Sequence, residues 1–214
     1  MNDVAVVLMA YGSPERVEDV PAYYADIRGG RPIAPEHMED LVARYRALGI
    51  ERSNPLNAIT EDTRAALEQE LGIPVYTGMK HWHPRIAEAV EAALARGART
   101  IVGLVLAPHY SRMSIGGYRR LLEDALGGRG ELRFVSSWHD EPAFVELLAG
   151  RVAGTDAHVV FTAHSLPARI LDEGDPYRDQ LLETAQLVAE SAGAHEWTFA
   201  FQSESPTASA SCSR

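Results

Sequence analysis

Apolar residues collect in short continuous runs that are separated by longer stretches of helical period. Val4-Ala-Val-Val-Leu-Met-Ala10 is unbroken and rich in β-branched residues, the pattern of a strand buried on both faces of a parallel sheet. Similar runs occur at Ile73–Met79, Ile101–Ala107, Leu132–Ser136, His158–Ala163 and Trp197–Phe201. Between them, Glu36–Leu48 places Met38, Leu41, Val42, Tyr45 and Leu48 on one helical face. Thr60–Leu71 opens with Thr60, Glu61 and Asp62, which predicts a capped start and a charged first turn. Pro84–Arg96 begins on proline and stops at Gly97, and Pro142–Val152 and Tyr177–Ala192 complete the series. Strand and helix in alternation predict an α/β fold, a parallel sheet covered by helices on both faces.

The chain contains one internal echo. Val6-Val-Leu-Met-Ala-Tyr-Gly-Ser-Pro14 overlays Val159-Val-Phe-Thr-Ala-His-Ser-Leu-Pro167, with both Val-Val pairs, the alanine and the proline coinciding. Two similar halves are therefore expected, 1–154 and 155–207, joined near Ala153-Gly-Thr-Asp156, with 208–214 as an unstructured tail.

Composition narrows the field of functions. The 214 residues are 46% hydrophobic and 23% charged, and the net charge of -10 disfavours a nucleic-acid surface. No run approaches the roughly 18 apolar residues of a membrane span, and no signal peptide is visible, so a cytoplasmic protein is expected. The single cysteine, Cys212, excludes an internal disulfide and a cysteine-only metal site.

Polar residues of chemical interest follow the strand runs, where parallel α/β sheets bind their ligands. They are Tyr11-Gly-Ser-Pro14, Lys80-His-Trp-His83, Pro108-His-Tyr-Ser111, His164-Ser-Leu-Pro167 and Gln202-Ser-Glu204. His164 has two readings, an imidazole satisfied by backbone at a strand end or a ligand and proton acceptor. Tyr11 caps the sheet or faces a ligand, since tyrosinate ligates iron in some haem proteins. His81, His83 and His109 read first as structural, and His-x-His without a third ligand is not a metal site. Arg28, Arg31, Arg44 and Arg46 form either a solvated face or a set of forks for several carboxylates. Tyr24, Tyr45, Met38 and Met113 offer flat apolar contacts to an aromatic ring.

Taken in order, Met9-Ala-Tyr-Gly-Ser-Pro14, Tyr23-Tyr24 with Ile27-Arg28-Gly-Gly-Arg31, Leu104-Val-Leu-Ala-Pro-His-Tyr-Ser111, Phe161-Thr-Ala-His-Ser-Leu-Pro167, Gly174-Asp-Pro-Tyr177 and Phe201-Gln-Ser-Glu204 resemble ferrochelatase, above all the soluble coproporphyrin-using enzymes of Gram-positive bacteria. The resemblance implies a chelatase fold of two Rossmann-like halves, the second incomplete. It also implies insertion of Fe2+ into coproporphyrin III or protoporphyrin IX for haem biosynthesis. By the same resemblance His164 is the essential histidine, assigned to metal binding or pyrrole proton removal. Tyr11 matches the tyrosine that ligates iron from the opposite face. Arg28, Arg44, Tyr45 and Tyr118 match porphyrin contacts. Ser53 falls near a further contact, with Asn54 as the other candidate.

The resemblance stops at the Gln-Ser-Glu strand. Family members continue with further strands, a closing helix and the glutamate that partners the histidine, none of which has a counterpart here. The expectation is weak or absent insertion, no iron–sulfur cluster, and a monomer prone to associate through an exposed sheet edge. Two other readings stay open: a cobalt-type tetrapyrrole chelatase using His81 or His109, and a non-catalytic porphyrin-binding or haem-binding remnant. A phosphate or nucleotide binder has little support, because no Gly-x-Gly-x-x-Gly or Walker pattern follows any strand.

Overall fold

The computed structural model describes residues 3–50 and 54–202. They form two compact units, Met1–Leu106 with Tyr118–Val135 and Ala107–Gly117 with Ser136–Arg214, within those described limits.

The first unit is built on a four-stranded parallel sheet in the order β2-β1-β3-β4. Its strands are β1 (Val4–Ala10), β2 (Val75–Met79), β3 (Thr100–Val105) and β4 (Glu131–Val135). As its apolar run predicts, β1 is central: Val6 stands in register with Val75 on one side and Val102 on the other. Val7, Leu8 and Met9 are fully buried. Leu122 and Phe134 pack closely over Gly103 on β3. A Cβ there would lie 2.4 Å from Leu122 Cδ2 and 2.8 Å from Phe134 Cδ2.

The helices of this unit are α1 (Val20–Ile27), α2 (Pro35–Leu48), α3 (Pro55–Leu71), α4 (Ile86–Ala95) and most of α5 (Ile115–Leu126). Two helix starts depart from the sequence expectation by two residues or more. Helix α3 starts at Pro55, not Thr60, because Asn54 accepts the Asn57 N–H at 3.3 Å and Pro55 takes the first turn. Thr60 is consequently an interior position, buried, with its hydroxyl donating to the Leu56 carbonyl at 2.7 Å. Helix α4 starts at Ile86, not Pro84, because the Pro84 carbonyl accepts the Met79 N–H at the end of β2. On α2, Leu41, Val42 and Tyr45 pack against Val17, Val20 and Ile50. Leu48 does not join that face; it is 76% exposed.

The second unit carries a two-stranded parallel sheet, β5 (Val159–His164) and β6 (Trp197–Gln202), paired from Val159–Trp197 to His164–Gln202. Its helices are α6 (Pro142–Val152), α7 (Arg169–Asp172) and α8 (Tyr177–Ala192). Val145, Ala149 and Val188 form a core onto which Phe161 packs. Both strands therefore alternate rather than being buried on both faces. Val159, Phe161 and Ala163 are half-buried, while Val160, Thr162 and His164 are exposed on the opposite face. Helices α1 and α5 had no clear sequence signal, α1 for its brevity and α5 because Gly116 and Gly117 sit in its first turn.

Candidate functional site

In the first unit the site grows from the C-terminal end of β1. Lys80 donates its N–H to the Ala10 carbonyl at 2.9 Å and His81 donates to the Tyr11 carbonyl at 3.0 Å, so the chain leaving β2 runs beside the chain leaving β1. Gly12 then turns with φ +83°, a left-handed value that favours glycine. A Cβ at Gly12 would stand 2.8 Å from the Trp82 Cβ, so this turn tolerates no side chain. Tyr23 donates its hydroxyl to the Gly12 carbonyl at 2.9 Å. Asn57 grips the next residue twice, accepting the Ser13 N–H at 3.2 Å and donating to the Ser13 carbonyl at 2.8 Å. Asn54 donates to the carbonyls of Ser13 and Pro14 at 3.2 and 2.9 Å. The loop after Tyr11 is thereby fastened to α1 and to the start of α3.

Tyr11 itself stays 43% exposed. Its ring meets that of His81, with centroids 4.5 Å apart and planes tilted by 55°. His81 Nδ1 lies 2.8 Å from Asp26 Oδ2, and Arg85 Nη2 lies 3.1 Å from Asp26 Oδ1. Burial lowers the His81 pKa, an effect that the hydrogen bond to Asp26 opposes without reversing it. Burial alone would raise the Asp26 carboxyl, but the bonds from Arg85 and His81 outweigh it and hold it below its ordinary value. The neutral imidazole therefore donates from Nδ1 to a carboxylate and keeps its lone pair on Nε2. Burial raises the Tyr11 phenol, reinforced by the negative charge that Tyr45, Tyr24 and Asp26 would carry. The free protein thus holds Tyr11 as a neutral phenol at neutral pH.

The structure brings Tyr45 and Tyr118 near this group. Tyr45 meets Tyr23 edge to face at 6.3 Å, and Tyr23 in turn meets Trp82 at 6.0 Å. Tyr118 on α5 is buried, and the Lys80 ammonium stands 4.9 Å over its ring. Burial raises Tyr118 and lowers Lys80, the latter helped by the positive charge of Arg120. Arg28 caps α1 and donates weakly to the Pro32 carbonyl at 3.4 Å. Among the described residues it forms no ion pair, and its buried Nε has no hydrogen-bond partner. Arg44 is different: it is exposed and paired with Asp40 one turn back at 2.6 Å. Ser53 lies outside the described residues. Asn54, its alternative, has its side chain engaged as helix cap and loop clasp.

In the second unit His164 closes β5, one residue past Ala163, just as Tyr11 follows Ala10 at the end of β1. Its side chain is exposed, and its carbonyl accepts the Tyr177 hydroxyl at 3.1 Å. Tyr177 is set by Asp175, a buried carboxylate that accepts the Tyr177 N–H at 3.1 Å, the Arg112 N–H at 2.7 Å and the Ser111 hydroxyl at 3.0 Å. His109 meets Tyr177 edge to face and Thr184 Oγ1 at 2.9 Å. Burial, with the nearby His139 charge, pushes His109 down to about 4. His139 spans Ser137 Oγ at 2.7 Å and Glu183 Oε2 at 2.9 Å. Asp26, Arg85, Asp175 and His139 carry these arrangements, and the sequence assigned a role to none of them. Asp175 stood out only as a member of the Gly174-Asp-Pro-Tyr177 element, and the other three had no local signal.

Among the described residues no group of three or more His, Cys, Asp or Glu side chains is arranged to hold a metal ion. Among the same residues no helix is long and apolar enough to cross a membrane. In the first unit a strand end offers a phenol with aromatic rings and guanidinium groups nearby, and in the second unit another strand end offers an imidazole. Phenolate and imidazole are each known ligands of haem iron, unlike the all-oxygen set of a hard cation.

Comparison with known proteins gives a single direction. A family model described as Ferrochelatase matches residues 3–209. A ferrochelatase of Herpetosiphon aurantiacus is 41% identical over 222 residues, spanning 95% of this chain and 72% of that protein. A coproporphyrin III ferrochelatase of Bacillus subtilis is 41% identical, and one of Halalkalibacterium halodurans 39%, each covering 95% of this chain and 71% of its own length.

Proposed function

The chain belongs to the ferrochelatase family, enzymes that insert ferrous iron into a porphyrin, and from that premise we propose that its substrate is coproporphyrin III, with Tyr11 and His164 as the side chains that meet the metal. The observation that carries the reading is the state of Tyr11. It is a half-exposed phenol at a strand end, on a loop fixed by Tyr23, Asn54 and Asn57. That much ordering around an exposed side chain favours a ligand-facing role over a sheet cap.

Insertion removes two pyrrole protons and strips water from the iron. His164, exposed at the end of β5, takes a proton or meets the incoming metal; a neutral imidazole is chemically competent for either. Tyr11 meets iron as phenolate, its proton passing to solvent because the charge of the bound metal makes the phenol more acidic. Arg28, with no ion pair among the described residues, receives a propionate. Arg44 does so by exchanging Asp40 for a substrate carboxylate, a swap between two exposed pairs that costs little. Tyr45 and Tyr118 flank the ring. Several arginines favour the more carboxylated coproporphyrin over protoporphyrin.

Loss of coproporphyrin III fluorescence on adding ferrous iron under anaerobic conditions tests this reading. Insertion by the parent chain is expected to be weak, and any excess over the protein-free rate is expected to vanish in His164→Ala. An excess over the protein-free rate that His164→Ala retains contradicts the role given to His164.

A further inference from the structure

The residues around Tyr11 contain a side chain that the proposed chemistry does not use. Asp26, on α1, is clamped from two sides. Arg85 Nη2 approaches one carboxylate oxygen at 3.1 Å and His81 Nδ1 the other at 2.8 Å. Arg85 is itself fixed, since its Nη1 donates to the Lys80 carbonyl at 3.1 Å. His81 is fixed at both ends, by its N–H to the Tyr11 carbonyl and by its ring nitrogen to Asp26. Among the described residues the aromatic ring that Tyr11 meets is that of His81, 4.5 Å away. The chain of contacts Arg85–Asp26–His81–Tyr11 thus ends on the phenol.

Resting on the reading of Tyr11 as an iron ligand, we infer that Asp26 is a positioning residue: it holds the His81 imidazole as a fixed platform against the Tyr11 ring and so sets the direction from which the phenol oxygen reaches the metal. Two observations favour this over a surface ion pair. Only 14% of the His81 side chain is exposed, so rotation of its ring is restricted by packing as well as by the hydrogen bond. The carboxylate also uses both oxygens on partners from the β2–α4 connection, an arrangement that locks a rotamer rather than merely neutralising charge. A support of this kind acts on metal affinity: outer partners of metal-binding side chains commonly alter it by about 10-fold or more when removed.

Two affinities measured on the same chain test the inference, one for ferric coproporphyrin III and one for metal-free coproporphyrin III. Their ratio isolates the bond to iron from binding of the ring. Tyr11→Phe is expected to abolish the preference for the ferric form. Asp26→Asn, which keeps size and shape, is expected to lower that preference about 10-fold while leaving the metal-free affinity within about twofold. Arg85→Gln, which removes one side of the clamp, is expected to fall between Asp26→Asn and the parent chain. Loss of both affinities together in Asp26→Asn overturns the inference in favour of a general structural role. If Tyr11→Phe abolishes the preference and Asp26→Asn leaves it intact, Asp26 does not position the phenol, although the reading of Tyr11 stands. If Tyr11→Phe leaves the preference intact, the reading of Tyr11 falls and the inference with it.

Discussion

Substituting Gly12 with alanine probes the turn that presents Tyr11. The backbone there has φ +83°, and a new Cβ would lie 2.8 Å from the Trp82 Cβ, 3.0 Å from the Met79 Cβ and 3.2 Å from the Trp82 nitrogen. Two costs add. An L-residue held in the left-handed region costs about 1–2 kcal/mol. Forcing a methyl group against backbone and Cβ atoms, which cannot swing away as a side-chain tip can, adds about 1–3 kcal/mol. Gly72→Ala supplies the reference. Gly72 has φ +63°, but nothing lies within 4 Å of a Cβ built on it, so only the first cost applies. A total near 3 kcal/mol corresponds to a fall in the unfolding midpoint of roughly 6–12 °C for a chain of this size. Thermal unfolding followed by circular dichroism, run on both variants and the parent, measures the difference. If Gly12→Ala proves no less stable than Gly72→Ala, Trp82 does not pack over the turn and the account of how Tyr11 is presented is wrong.

Other consequences lie in the second unit. Asp175→Asn keeps the volume but sets an amide among the Ser111, Arg112 and Tyr177 donors. It should lower stability by about 2 kcal/mol in urea unfolding, and a loss under 0.5 kcal/mol would argue against the clasp. His109 ties stability to pH. Its folded pKa of about 4 lies below the ordinary 6.5, so between those values the unfolded chain binds the extra proton. This contribution is complete above pH 6.5 and is lost as pH falls from 6.5 towards 4. Allowing for partial solvent screening, it is on the order of 1–2 kcal/mol. His109→Gln should flatten the stability profile in that window, and an unchanged slope would contradict the assignment.

How far the sequence could be read depended on the kind of signal. β1 was legible to the residue, because seven consecutive apolar positions at the centre of a parallel sheet have one sensible arrangement. The polar residues at strand ends were legible for a related reason, since parallel strands deliver their C-terminal loops to one edge. Helix starts were less secure. Thr60 looked like a cap, yet Asn54-Pro55 was the stronger pair, with Asn54 both capping the helix and holding the loop after Tyr11. Alternating burial in β5 and β6 could not be foreseen, because both strands are apolar enough for either face. The Arg85–Asp26–His81 chain was out of reach. Its members lie on α1 and in the segment after β2, and no local pattern links residues more than fifty positions apart.

A bond between iron and the Tyr11 oxygen is the central proposal. Resonance Raman spectroscopy of the ferric coproporphyrin III complex, on protein carrying ring-deuterated tyrosine, reads that bond. Phenolate modes that shift with the label in the parent chain and vanish in Tyr11→Phe are predicted. Phenolate modes that persist in Tyr11→Phe, or a parent complex without any, would contradict it.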